Sequence, residues 1–291
     1  MKRLILTVAA SLILSAPSFA WGWAHRMIAY IAQEHSTPAT RAVYDRYLDS
    51  PLNNIALWPD IFRCRLWAPQ DFSDAPDYTF KSWEHAVSVG PDYYPLLKSN
   101  RPEGNGEGYA AILGYIERLQ NYKEMTDSAV VVDMTALVHM VADNHCPGHI
   151  LYSKPDGSYD PMGGGIAGGY GIYTHSFNGK GKHTLHSLID GADAIHNEFE
   201  KNLDAWKDYL DGRYWDKRQE IIGSGDVGSW LQDAARRSKV IYDWVQPGQP
   251  LDDSFYSDPE HEALFSYLFA AAAYRLADIM NRLFDPEYES L

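Results

Sequence analysis

The stretch "LVHMVADNHCPGHI", residues 137–150, constrains the fold more than any other. It continues an apolar run through Val130, Val131, Val132 and Met134. That pattern reads as a helix, and His139 and Asp143, four residues apart, leave it on one face. An imidazole and a carboxylate projecting from an apolar helix need partners, because an unpaired buried charge is costly. Pro147 and Gly148 end the helix and place His149 at the turn. A fold that buries this helix must bring compensating groups to its polar end.

A second pair stands in "KHTLHSLID", where His186 and Asp190 are again four apart near the start of a helix. One such pair on a helix is the ordinary pattern of a surface ion pair. Two pairs with an extra histidine point instead to a metal, since imidazole and carboxylate are the ligands zinc takes.

The amino end offers a further ligand. Residues 1–20 carry Lys2 and Arg3, an apolar run from Leu4 to Leu14, and Ser18-Phe19-Ala20 with small residues where signal peptidase reads. This is the pattern of a secretory signal, so the expectation is an exported protein, periplasmic or secreted, that begins at Trp21. The run is too short for a membrane span, and no later stretch approaches the roughly 20 consecutive apolar residues that spanning needs, so no membrane anchor is expected. A free α-amine has a pKa of about 7.7–8.0, low enough for a metal to displace its proton, and it chelates together with the residue's own carbonyl. Trp21, with His25 close behind it, is therefore a candidate ligand.

Composition bounds what the site can bind. The formal net charge is −14, and loss of Lys2 and Arg3 with the leader makes it two units more negative. Such a surface repels polyphosphate, which excludes nucleic-acid binding through a broad basic face. Positive charge for an anionic substrate must then be local, and metal ions supply it.

The fold class expected is all-α. Residues 21–291 read as a single mostly helical domain with long loops around a metal cleft. Met27, Ile28, Ile31 and Ala32 repeat at helical spacing, and Ser36-Thr37-Pro38 reads as a cap with proline in the first turn. Further helical runs cover 53–64, 108–122, 126–145, 186–210, 226–245 and 259–284, and strand signals are sparse. Residues 66–106 and 147–182 are the irregular segments. "MGGGIAGGYG" at 162–171 has no strand before it and no helix after it, so it reads as a flexible lip and not as a phosphate loop. His145 and His183 have the wrong spacing for ligands, His35, His175, His196 and His261 read as ordinary histidines, and Cys146 is left out of the ligand set. Cys64 and Cys146 leave one disulfide open.

Taken in order, Trp21, His25, "LWPDIFR" with Asp60, "SWEHAV" with His85, the His139–Asp143–His149 stretch and His186–Asp190 resemble the zinc-dependent single-strand-specific nucleases of the S-one/P-one type. These share a fold with the bacterial zinc phospholipases C. The resemblance runs to a closing helix "AAAAYRLADIMNRLF", nearly the whole chain after residue 20. It implies three zinc ions: one held by Asp60, His85, His139 and Asp143, a second by Trp21, His25 and Asp143, with Asp143 bridging, and a third by His149, His186 and Asp190. It further implies hydrolysis of single-stranded DNA and RNA to 5′-phosphorylated products, with 3′-nucleotidase activity. Asp60 would orient the attacking water, and Arg63 would stabilise charge on the phosphate. The partner implied is a single-stranded nucleic acid or nucleotide, and a monomer is expected.

The sequence departs from the family in three places. Three residues separate Trp21 from His25 where four are usual, Ala86 follows His85 where an aromatic stacks on a base, and Ile189 precedes Asp190 where tryptophan is common. Tyr78, Phe80, Tyr93, Tyr94 and Tyr173 are the loop aromatics available in place of the missing one. A zinc phospholipase C is the alternative, opposed by the close Trp21–His25 spacing and by Asp190 where those enzymes use Glu. A non-catalytic relative that keeps the fold is the second.

Overall fold

The first helix, α1 (Gly22–Glu34), buries Ala24, Met27, Ile28, Ile31 and Ala32, the stripe its spacing predicts. The structure is a computed structural model and describes residues 21–62, 85–102, 104, 106–160, 185–245 and 253–289. The leader, Arg63, Cys64, Tyr78, Phe80, the glycine-rich 162–171, Tyr173, His175 and His183 lie outside the described residues.

The cap before α2 (Pro38–Tyr47) forms as expected: the Thr37 side chain accepts from the Thr40 amide, with Pro38 in the first turn. The expected run 53–64 is two short helices, α3 (Leu52–Ile55) and α4 (Trp58–Phe62). A three-residue strand, β1 (Val87–Val89), leads towards α5 (Gly108–Leu119). Next comes α6 (Asp127–Asp143), capped by Thr126 and buried nearly all round, as its apolar run requires. A tight turn, Pro147–His149, passes into β2 (Ile150–Tyr152). The strands pair in parallel, Val87 opposite Ile150 and Val89 opposite Tyr152. This small sheet was not legible, because three residues carry no period. It fixes His85 and His149, which lie just ahead of the two strands.

The expected run 186–210 is broken. It forms α7 (Leu185–Asp190), a 3₁₀ segment (Ala192–Phe199) with a non-helical kink at His196, and α8 (Leu203–Tyr214), newly capped by Asn202. The chain continues through α9 (Arg218–Ile222), α10 (Val227–Ser238, capped by Asp226) and α11 (Ile241–Trp244). Trp206, Tyr214 and Trp230 are buried between helices.

The last helix, α12 (Pro259–Phe284), keeps both expected ends, with Asp258 as cap and Pro259 in the first turn. Its Ala270–Ala273 run is fully buried and lets neighbouring helices approach closely; α1, α2, α6, α8, α9 and α10 all pack on it. By length and composition this helix passes for a membrane span, but 83% of its apolar window is buried inside the protein, which makes it the core helix. One continuous apolar cluster joins these elements. Helices with a minimal two-strand sheet give the all-α class.

Candidate metal centre

Asp143, the last residue of α6, is fully buried, and its two oxygens face different groups. Oδ2 lies 2.7 Å from His85 Nδ1 and 3.0 Å from His139 Nε2. Oδ1 lies 3.0 Å from His25 Nε2, on α1. Asp60, on α4, completes the first group with Oδ1 3.6 Å from His85 Nδ1 and 3.9 Å from His139 Nε2. Ligand atoms of Asp60, His85 and His139 lie within 4.8 Å of one another, as do those of His25, His139 and Asp143.

Backbone carbonyls decide which way the rings point. His139 Nδ1 donates to the Ala56 carbonyl at 2.6 Å, His25 Nδ1 to the Trp21 carbonyl at 2.9 Å, and His149 Nδ1 to the His85 carbonyl. A carbonyl only accepts, so each Nδ1 carries the hydrogen and each neutral ring turns an Nε2 lone pair inward. On His25 and His139 that lone pair faces an Asp143 oxygen at 3.0 Å. Two acceptors at that distance repel unless a cation or a shared proton lies between them. His25 Nε2, Asp143 Oδ1 and Asp190 Oδ1 are buried without a hydrogen-bond partner among the described residues. Orphaned lone pairs converging from carbonyl-oriented imidazoles are what a metal centre needs, and the residues present fit one.

The electrostatics agree. Burial acts to raise the Asp143 carboxyl, but His149, His139 and His25 hold it well below the usual carboxylate range. Burial acts to lower His139, and Asp143 and Asp60 override it, bringing the ring up to about 9. Such groups bind a proton or a metal in competition.

A third group stands at the turn after α6. His149 Nε2 lies 3.1 Å from His186 Nε2, which lies 3.2 Å from Asp190 Oδ1. Gly148 makes the approach possible: a Cβ there would lie 2.8 Å from His186 Cδ2. The sulfur of Cys146, which sequence reasoning set aside, lies within 4.8 Å of ligand atoms of His149 and Asp190. Its thiol is free and buried.

A family model described as S1/P1 Nuclease matches residues 21–285. The chain belongs to the S1/P1 nuclease family. A search of curated proteins gave no match. Membership makes the chain a nuclease, a metal-dependent hydrolase of phosphodiester bonds with a nucleic-acid substrate, and its His/Asp clusters are suited to hold the metal.

In this nuclease Trp21 is fully buried; its indole N–H donates to the Ile189 carbonyl at 2.9 Å, and its ring packs on Phe269. The amino end is thereby tied to α7 at the residue before Asp190. The short Trp21–His25 spacing has a consequence: the Trp21 carbonyl already accepts from the His25 amide at 2.8 Å and from His25 Nδ1. That carbonyl orients the His25 ring. His145 faces elsewhere, with Nδ1 on the Val141 carbonyl and Nε2 accepting from Arg275; burial, then the guanidinium, lowers it to about 3. His35, His196 and His261 pair with Asp211, Glu198 and the Phe255 carbonyl. Ala86 is fully buried, so no base stacks there. Tyr93 packs edge-on against Tyr152, and Tyr94 packs edge-on against Tyr109.

Proposed function

We propose that this nuclease is a zinc-dependent endonuclease that hydrolyses single-stranded DNA and RNA to 5′-phosphorylated products and also removes 3′-phosphates from nucleotides. The observation that carries the reading is the split of Asp143 between two sets of inward-facing lone pairs, a carboxylate placed to bridge two cations. Three zinc ions, when bound, supply the Lewis acidity that makes water a nucleophile near neutral pH and offsets phosphate charge. Asp60, His85, His139 and Asp143 would hold the first, Trp21 (amine and carbonyl), His25 and Asp143 the second, and His149, His186 and Asp190 the third.

Around them the protein's own groups orient the reaction. Asp60 accepts a proton from the attacking water and aims it, and Arg63, which enters from sequence alone, takes charge on the phosphate oxygens. The acidic surface is compatible with this, because the positive field is confined to the cleft.

Export and removal of residues 1–20 belong to the same proposal. The leader's composition and a family match that starts at Trp21 support it.

The test is an assay of the protein beginning at Trp21, with zinc, on heat-denatured DNA, RNA, duplex DNA and phosphatidylcholine vesicles. Cleavage of the single strands to 5′-phosphate ends, with the duplex cut far more slowly, is expected. Hydrolysis of lipid alone would overturn the reading.

A further inference from the structure

We propose that Cys146 is a thiolate ligand of the third metal site, making it a four-donor Cys146–His149–His186–Asp190 site. This rests on the metal reading above and adds to it a donor that changes the site's chemistry.

Four independent features converge. The Cys146 sulfur lies within 4.8 Å of ligand atoms of both His149 and Asp190. The turn that follows α6 holds Cys146 and His149 three residues apart, closed by the His149 amide donating to the Cys146 carbonyl at 2.9 Å. Asp190 Oδ1 has no hydrogen-bond partner although its side chain is only 8% exposed, and it is directed at the same space. Gly148 supplies the gap through which His186 enters, since a Cβ there would collide with that ring. For zinc bonds of about 2.0–2.3 Å, a tetrahedron has edges of about 3.3–3.8 Å. The His149–His186 and His186–Asp190 separations, 3.1 and 3.2 Å, are already near that value.

The chemistry differs from an all-nitrogen-and-oxygen site. Cation entry displaces the thiol proton to solvent as the metal–sulfur bond forms. A thiolate favours softer ions, selecting zinc over magnesium or manganese. With Cys146 the site offers four protein donors, and a phosphate oxygen would enter as a fifth ligand, an expansion that zinc allows.

The chain has two cysteines, so the test uses the mature Cys64→Ser protein, in which any thiolate signal comes from Cys146. It is stripped with chelator under reducing conditions and reloaded with cobalt(II). Visible d–d absorption reports loading, and a near-ultraviolet sulfur-to-cobalt charge-transfer band reports the thiolate. The expected result is a charge-transfer band of one thiolate, lost in the Cys64→Ser/Cys146→Ser protein while d–d absorption from the other sites persists. Zinc affinity of one site should fall in that variant by more than the roughly 10–100-fold typical of an outer-shell loss. Iodoacetamide should label Cys146 much faster in stripped than in zinc-loaded protein. Full d–d absorption with no charge-transfer band would overturn the thiolate and leave the nuclease reading standing. Failure to bind cobalt at all would overturn both.

Discussion

With Oδ1 turned to His25 and Oδ2 to His85 and His139, Asp143 cannot become an amide without presenting a donor to one of the two sets. Asp143→Asn should remove two ions and lower kcat/KM by at least about a thousandfold, while Asp190→Asn should remove one ion and cost less; elemental analysis of both variants checks this, and equal zinc content would contradict the bridge. His139 gives a pH signature. Its folded pKa of about 9 lies above the ordinary 6.5, so its stabilising effect is complete below about pH 6.5 and fades as pH rises through 9. Chelator-treated protein should therefore melt at progressively lower temperature from pH 6.5 to 9, by an amount on the order of 3 kcal/mol at most. In excess zinc the trend should reverse, because metal uptake displaces the proton and tightens with pH. Calorimetry at three pH values separates the two slopes. One extra residue ahead of Trp21 replaces the ligating amine by an amide and should cut activity at least about a hundredfold, measured against correctly processed protein.

Elements hold these residues through close approaches that sequence reading reaches only in part. Helix α5 begins at Gly108, whose amide donates to the Ala86 carbonyl at 2.8 Å, and a Cβ there would lie 2.1 Å from Asn144 Oδ1. Gly108→Ala should thus push on the residue after Asp143, destabilise the protein by about 1–3 kcal/mol and lower its zinc content; denaturant titration and elemental analysis read both effects. Helices with strong caps and long apolar stripes were legible, and α12 kept both ends because Asp258-Pro259 is an unambiguous start. The breaks were not. Residues 53–64 part at Ala56, where the carbonyl freed from helical pairing receives His139 Nδ1, and 186–210 parts at the non-helical His196 and at Glu200, which takes φ 47°. His139, Asp143, His186 and Asp190 were readable as ligand candidates because a His and an Asp four apart in a helical run demand a reason, and His149 followed at the turn; His25 came from its place behind Trp21, while Asp60 and His85 entered through the family resemblance. Cys146 was set aside because the His and Asp candidates around it already sufficed for a zinc site. Which nitrogen each ring turns inward was beyond sequence, since it depends on carbonyls from distant segments.

Across the whole molecule, one core helix, a closing amino end and a small sheet bring together ligands from five separate stretches of an acidic chain. Until cations arrive, that arrangement concentrates carboxylates and lone pairs in a dry interior. Binding of ions to the folded state alone should stabilise it by mass action, about 4 kcal/mol per site at a thousand times Kd. The most direct measurement is zinc per chain on protein purified with Trp21 as its first residue, before and after dialysis against chelator, with nuclease activity followed in parallel. Three zinc ions per chain, lost together with single-strand cleavage and restored together on adding zinc, is the predicted result. Full cleavage by protein shown to hold no metal would contradict the account.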